Sequence, residues 1–374
     1  MTSNRAPIKI TSMAPRDPVD EADEETFRAS DAPTFSGVHI GPPADQSVVR
    51  VLVAISRESV TDAGPFRGVL ARFGGRIAVT FAGGDDFARA LPDADVVIAQ
   101  GLSDEEVARA SRLRWLSSVA AGLDAVATPA LLARGVAVTS ASGVHGPNIA
   151  EHVMAMILMF TRGMPRLYRA QLARRWERKL TSRSDGPGEL TGKTLLIVGL
   201  GRIGEAIAAR ARPFGVRLIA VKHDPSTRYD AGVVVDELVG MDALDDVLGR
   251  ADHVCLAVPL TGATHRLIDA RRIARLRPGA FIYNVSRGAV IDEAALVEAL
   301  RAGKLAGAGL DVFEEEPLPA TSPLWGLETV ILTPHVSGAT PLYFDRTAAL
   351  FADNLERFLE GRPLSNRYDP ARGY

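Results

Sequence analysis

The stretch TLLIVGLGRIGEAIAARARPF, residues 194–214, decides the fold. Its first five residues are an apolar run that reads as a buried strand. Gly199, Gly201 and Gly204 follow, and then an alanine-rich stretch of good helix formers. Strand, glycine turn and helix in that order make a cradle for a dinucleotide. Gly199 makes the tight turn, Gly201 lets backbone N–H groups approach a pyrophosphate, and Gly204 lets helix and strand pack closely. The helix N-terminus adds partial positive charge for the phosphates. Three glycines at this spacing also occur in tight turns without a ligand, so the flanking elements carry the reading.

Those elements form a series. After KTLLIVGLG come VRLIAV, ADHVCLAVPL, GAFIYNVS, LAGAGLDVF and TVILTPHVSG, six strand candidates with helices between them. That is the pattern of a doubly wound parallel sheet. A first series precedes it: VVRVLVAI, RIAVTFAG, ADVVIAQG, LRWLSSVA and GVAVTSAS, with a helical stretch at PFRGVLARF. Between the two lies NIAEHVMAMILMFTRGMPRLYRAQLARRW, whose first half is apolar all round and implies burial on every side. The last helix, PLYFDRTAALFADNLERFLEG, is amphipathic and ends at Gly361. Residues 1 to about 46 are rich in Pro, Asp and Glu without a sustained period, as in a disordered extension.

The whole chain has 374 residues and a formal net charge of −2, which gives two domains room for cores and leaves no basic footprint for nucleic acid. No apolar run is long enough to span a bilayer, and no signal peptide is visible. Cys255 is the single cysteine, so no intramolecular disulfide forms and a reducing cytoplasm fits. It also excludes a cysteine-cluster metal site, and no metal is expected.

Three segments carry chemistry, each after a strand signal: NVSRGAVIDEAALVEAL with Arg287, GAGLDVFEEEPLP with Asp311, Glu314, Glu315 and Glu316, and TPHVSG with His335. In a doubly wound sheet the carboxyl ends of strands face the ligand crevice, so these segments converge. Arg offers a planar fork to a carboxylate, and His beside a carboxylate is an acid/base pair.

In order and spacing, these motifs together with GLGRIG resemble the D-isomer-specific 2-hydroxyacid dehydrogenases over roughly residues 48 to 362, in the manner of the glyoxylate/hydroxypyruvate reductases. The resemblance implies two doubly wound parallel-sheet domains. A Rossmann NAD(P)-binding domain, 145–337, is inserted into a discontinuous flavodoxin-like substrate domain, 47–144 and 338–374. It implies catalytic Arg287, Glu316 and His335, with Arg287 gripping a 2-oxo acid, His335 delivering a proton and Glu316 orienting the imidazole. Ala121 and Gly122, in VAAGLD, would hold the substrate carboxylate with Arg287. The implied cofactor site comprises Gly199, Gly201, Arg202, Ile203, Gly204, Lys222, His223, Val258, Pro259, Thr264, Asp311 and Gly338, with Asp311 meeting the nicotinamide amide. A homodimer is implied, centred on about residues 145 to 185.

Departures narrow the expectation. Glu316 stands where related formate dehydrogenases carry Gln, which argues against formate. Gln100 stands where some relatives place Arg, which weakens a dianionic substrate. About 39 residues follow His335, so the regulatory domain of long phosphoglycerate dehydrogenases is not expected. The corepressors known as C-terminal-binding proteins resemble the enzymes at Arg, Glu and His, so an NAD(H)-responsive scaffold is the alternative reading.

Lys222 occupies the place, 23 positions after Gly199, where NAD-preferring folds put a ribose-binding carboxylate. With His223 beside it and Arg228 nearby, a cation there favours NADP(H) over NAD(H). Asp224 offers a carboxylate two residues on, and a solvated strand-end lysine would leave both cofactors usable.

Overall fold

The structure is a computed structural model that describes residues 48–55, 63–123, 125–177, 187–226 and 232–371. The N-terminal extension and Arg228 lie outside the described residues.

Five apolar runs of the first series form β1 (Val49–Ala54), β2 (Ile77–Phe81), β3 (Val96–Ala99), β4 (Trp115–Ser118) and β5 (Ala137–Thr139). All pair in parallel in the order β2-β1-β3-β4-β5, with Val51 in register with both Val79 and Val96. This is the flavodoxin-like order. Every residue of β3, β4 and β5 is buried, as a parallel sheet covered on both faces requires. The crossovers carry α1 (Gly64–Leu70), α2 (Gly84–Ala90), α3 (Asp104–Arg109) and α4 (Pro129–Ala133). Ser103 and Glu106 close a reciprocal capping box at the start of α3, which fixes where that helix begins.

The chain then passes through α5 (Gly146–Thr161) and α6 (Met164–Leu172). Burial of α5 is one-sided. Ile149, Val153, Met154, Met156 and Ile157 are buried, whereas Glu151 and Ala155 are exposed one turn apart. Cover on every side, expected from its composition, is not present among the described residues.

The second sheet contains β6 (Thr194–Val198), β7 (Arg217–Lys222), β8 (Glu237–Gly240), β9 (His253–Leu256), β10 (Ala280–Asn284), β11 (Leu305–Leu310) and β12 (Val330–Leu332). Its order is β12-β11-β10-β9-β6-β7-β8, all parallel. The order reverses between β6 and β9, which is the switch point where a doubly wound sheet opens a crevice. β8 was not among the six expected strands. It is a half-buried edge strand of four residues, and Glu237 within it pairs with Arg217 and Arg250 rather than packing into the core. Helices α7 (Arg202–Ala211), α8 (Leu244–Leu248), α9 (Ala270–Arg275) and α10 (Glu293–Arg301) complete the layers.

The final helix, α11 (Tyr343–Leu359), returns to the first sheet. Its Phe351, Leu355 and Phe358 join Val49, Phe66 and Trp115 in one core, and the Phe351 ring stacks on Trp115 at 5.2 Å. Trp115 is fully buried, and its indole N–H donates to Thr139 at 3.0 Å, so neither its bulk nor its polar edge is wasted. The core on this face of the first sheet therefore draws on β1–β5 and on α11, which lies after the second sheet in sequence.

Candidate active site

The fingerprint loop sits at the switch point. Gly199 has φ +104°, and a Cβ there would lie 2.5 Å from the carbonyl oxygen of Ala257. A Cβ on Gly204 would lie 2.1 Å from the carbonyl oxygen of Gly199, so α7 starts against the strand it follows. Around Gly201, which caps α7, a Cβ would meet nothing within 4 Å, which leaves the backbone open to a phosphate. Ile203 packs into the core beneath, whereas the Arg202 side chain is 42% exposed. Val258 follows β9 and abuts Gly199 across the switch point. The Thr264 hydroxyl donates to Pro259 at 2.6 Å and accepts from the Thr261 N–H at 2.8 Å. It closes that loop on itself, a task the sequence did not suggest.

Lys222 ends β7 in register with Gly240. Burial lowers its ammonium pKa below the usual value, against the opposing pull of Glu205 and Asp224. His223 is exposed. Asp224 accepts from both the N–H and the hydroxyl of Ser226, at 3.0 and 2.5 Å, in a local Asx turn.

Three adjacent strands present the chemical groups. At the end of β10, Asn284 is 1% exposed. Its carbonyl oxygen accepts from the Ser286 N–H and hydroxyl, at 3.1 and 2.8 Å, and its amide donates to the Arg287 carbonyl at 2.9 Å. One buried amide thus fixes the turn that carries Arg287, and Arg287 Nη1 donates to the Ser286 carbonyl at 2.8 Å. The next residue, Gly288, touches the backbone after β11: a Cβ there would lie 1.8 Å from the carbonyl carbon of Phe313.

After β11, Glu316 accepts from the Phe313 N–H through Oε1 at 3.0 Å and faces His335 Nδ1 through Oε2 at 2.7 Å. Of the acidic run, Glu314 instead exchanges backbone–carboxylate bonds with Glu293 at the start of α10. After β12, His335 has φ +53°, a left-handed conformation costly for an L-residue. Its N–H donates to the carbonyls of Asp311 and Thr333, at 2.8 and 3.0 Å. Asp311 is wholly buried. Oδ1 accepts from the Thr333 hydroxyl at 2.6 Å and the Val336 N–H at 2.9 Å, and Oδ2 from the Ser337 N–H at 2.9 Å. One lone pair on Oδ2 remains beyond these three bonds.

The loop after β4 is pinned by Ser118, which donates to the Gln100 carbonyl at 2.8 Å and accepts from the Ala120 N–H at 3.0 Å. Among the described residues, the N–H groups of Ala121 and Gly122 have no acceptor. This loop is tied to the crossing segments between the sheets. The Tyr343 hydroxyl donates to the Val119 carbonyl. The Tyr343 ring stacks on His145 at 4.9 Å, and His145 Nδ1 donates to the Gly338 carbonyl at 2.9 Å. Burial lowers the His145 pKa, against the Gly338 bond and with help from Arg346. Asn148 donates to the Ser337 carbonyl at 2.8 Å.

Asn284, His145, Tyr343 and Thr333 were not singled out in the sequence. Asn284 had a signal: a polar residue at the end of an apolar strand with serine two positions on, the pattern of an Asx turn. Among the described residues, no cluster of His, Cys, Asp and Glu is placed to hold a metal ion. No described helix is long and apolar enough to cross a membrane.

Residues 154–337 match the family model for the D-isomer specific 2-hydroxyacid dehydrogenase, NAD binding domain. A glyoxylate reductase from Thermofilum pendens is 35% identical over 280 residues, 74% of this chain and 82% of that protein. The chain belongs to the D-isomer-specific 2-hydroxyacid dehydrogenase family. As a member of that family it is an NAD(P)-dependent oxidoreductase acting on the CH–OH group of hydroxy acids. A D-3-phosphoglycerate dehydrogenase from Mycobacterium leprae is 36% identical over 299 residues, 78% of this chain but 55% of that protein, so this dehydrogenase spans about half of such relatives. A solved D-isomer specific 2-hydroxyacid dehydrogenase from Xanthobacter autotrophicus Py2, in complex with NADPH and MES, superposes with a TM-score of 0.72 and 30% identity. That match covers 87% of this chain and 100% of the other.

Proposed function

We propose that this dehydrogenase interconverts a small 2-oxo acid and its D-2-hydroxy acid, with Arg287, Glu316 and His335 as the catalytic set. The observation that carries the proposal is the 2.7 Å contact between Glu316 Oε2 and His335 Nδ1, beside the loop that carries Arg287. A carboxylate accepts, so Nδ1 keeps its hydrogen and Nε2 is the nitrogen that meets substrate. When bound, a nicotinamide cofactor would supply the hydride for C2 of the substrate in the direction of reduction. His335 gives the Nε2 proton to the keto oxygen as its carbonyl π bond becomes an oxygen lone pair. Arg287 holds the substrate carboxylate, and the N–H groups of Ala121 and Gly122 complete its grip. Oxidation runs the same proton back to Nε2.

The sheet β1–β5 with α11 serves as the substrate domain in this reading, and the sheet β6–β12 with α5 as the cofactor domain. Gly199, Gly201, Arg202, Ile203 and Gly204 receive the pyrophosphate. Val258, Pro259 and Thr264 line the facing loop, and Asp311 offers its remaining lone pair to the nicotinamide amide, with Gly338 close by. NADP(H) is preferred. Lys222 and His223 stand at the end of β7, where a cation suits a 2′-phosphate, and Ser226 engages one oxygen of Asp224, Oδ1, in an Asx turn. The NADPH found in the Xanthobacter relative agrees with that choice.

The protein is a homodimer in this reading. Met164, Tyr168, Leu172 and Trp176 recur every four residues along and just beyond α6, and are 48%, 57%, 65% and 92% exposed. That is an apolar stripe in want of cover. A cytoplasmic location suits Cys255, which is buried with its thiol pushed up to about 12. The test is a panel of small 2-oxo acids with NADPH and NADH. Turnover supports the enzyme, whereas tight cofactor binding with no turnover on any of them supports the scaffold alternative.

A further inference from the structure

His152 belongs to α5, far from His335 in sequence, and its imidazole is 22% exposed. Its Nε2 lies 3.0 Å from the Thr333 hydroxyl oxygen and 4.0 Å from Asp311 Oδ1. The directions of these bonds follow from chemistry. Asp311 receives N–H groups from Val336 and Ser337, so its oxygens are acceptors. The Thr333 hydroxyl, 2.6 Å from Oδ1, therefore points its hydrogen at Asp311. Only oxygen lone pairs remain for His152, so Nε2 carries a hydrogen and donates it. A chain of donors runs from His152 through Thr333 to Asp311.

That chain ends on the loop with the strained residue. Asp311 holds residues 335, 336 and 337 by consecutive bonds from its carbonyl and its carboxylate, and His335 sits in the left-handed region within that grip. A buried carboxylate with one donor removed loses compensation that the interior does not replace. We infer that His152 is a positioning residue for the reaction: through Thr333 and Asp311 it holds the loop that presents His335 to substrate. The inference rests on the reading of His335 as the proton donor, while the tether itself is measurable without turnover.

The experiment compares wild type, His152→Leu, His152→Gln, Thr333→Val and the double variant His152→Leu/Thr333→Val. Gln keeps an N–H donor at a similar reach, and Leu keeps bulk alone. In His152→Leu, kcat falls by about tenfold or more, while the Kd for NADPH stays within about twofold, because a group that positions the acid acts on the transition state. His152→Gln recovers most of the lost kcat. The double variant is no worse than the worse single variant, because both changes cut one chain. Hydrogen exchange of the amides of residues 335–337 accelerates in His152→Leu and not in His152→Gln. Faster exchange in a protein whose wild type turns over no 2-oxo acid supports the tether and removes the catalytic reading. Unchanged exchange, a Gln variant as impaired as Leu, or a His152→Leu enzyme with more than about half of wild-type kcat overturns the inference.

Discussion

Glu316 binds two partners with its two oxygens: Oε1 takes the Phe313 N–H at 3.0 Å and Oε2 takes His335 Nδ1 at 2.7 Å. The first bond fixes the carboxylate and the second fixes the ring. Glu316→Gln keeps an acceptor for Phe313 but turns an N–H toward Nδ1, which must then accept, so the ring is held neutral with its hydrogen on Nε2 and loses the carboxylate that stabilises the imidazolium, the stronger acid. A positioned general acid contributes about 10²- to 10⁴-fold, and a neutral imidazole is a far weaker acid than the imidazolium, so kcat for 2-oxo acid reduction should fall within that range with an unchanged circular dichroism spectrum. A fall of less than about threefold would show that Glu316 does not set the ring.

Tyr343 reaches from α11 to the Val119 carbonyl, at the root of the loop assigned to the substrate carboxylate. One ordinary hydrogen bond contributes about 0.5–1.5 kcal/mol, so Tyr343→Phe should raise KM for the 2-oxo acid by roughly two- to tenfold. The affinity for cofactor, measured by nicotinamide fluorescence, should not move. An equal loss of both affinities would mean that Tyr343 supports the whole fold rather than this loop.

His253 is buried on β9, its Nδ1 3.0 Å from the Tyr283 hydroxyl and its ring 5.3 Å from that of Phe281. Burial lowers its pKa from 6.5 to about 4, against the opposing pull of Asp252. The unfolded chain therefore binds more protons here than the folded one between these values. The stabilisation is full above about pH 6.5 and is lost as pH falls toward about 4, in total roughly 3 kcal/mol. Denaturant titrations across that window should show it, and His253→Asn should flatten the slope. Parallel pH curves for the two proteins would remove His253 as the cause.

Much of this was legible because local pattern and global fold agree. Residues 194–214 name their own strand, turn and helix, and the strand runs around Trp115, Cys255 and Ile282 are buried on both faces, so composition alone marks them. Arg287, Glu316 and His335 follow the adjacent strands β10, β11 and β12, and of the three Glu316 and His335 meet, at 2.7 Å. β8 escaped because an edge strand needs little apolar residue, and Glu237 answers to arginines rather than a core. The one-sided burial of α5 escaped because composition does not show which face a neighbour leaves bare. Asp311 with Thr333, and Tyr343 with Val119, escaped for a different reason: each partner is supplied by a distant segment, and only the fold creates the pair.

Lys222 gives the cofactor prediction. kcat/KM should be higher with NADPH than with NADH, and Lys222→Asp should reverse the order, because a carboxylate there repels a 2′-phosphate and binds a ribose hydroxyl. A wild-type enzyme that prefers NADH by about tenfold, about 1.4 kcal/mol of transition-state binding, would show that Lys222 does not read the phosphate.

The central claim is that His335, held by Glu316, hands a proton to a 2-oxo acid. The most direct measurement is kcat for reduction of the best substrate of the panel by wild type and by His335→Ala, at saturating NADPH. The account predicts turnover in the wild type and a loss of about 10²- to 10⁴-fold in the variant, with cofactor affinity and thermal midpoint retained. A His335→Ala enzyme that keeps more than about half of wild-type kcat would contradict it.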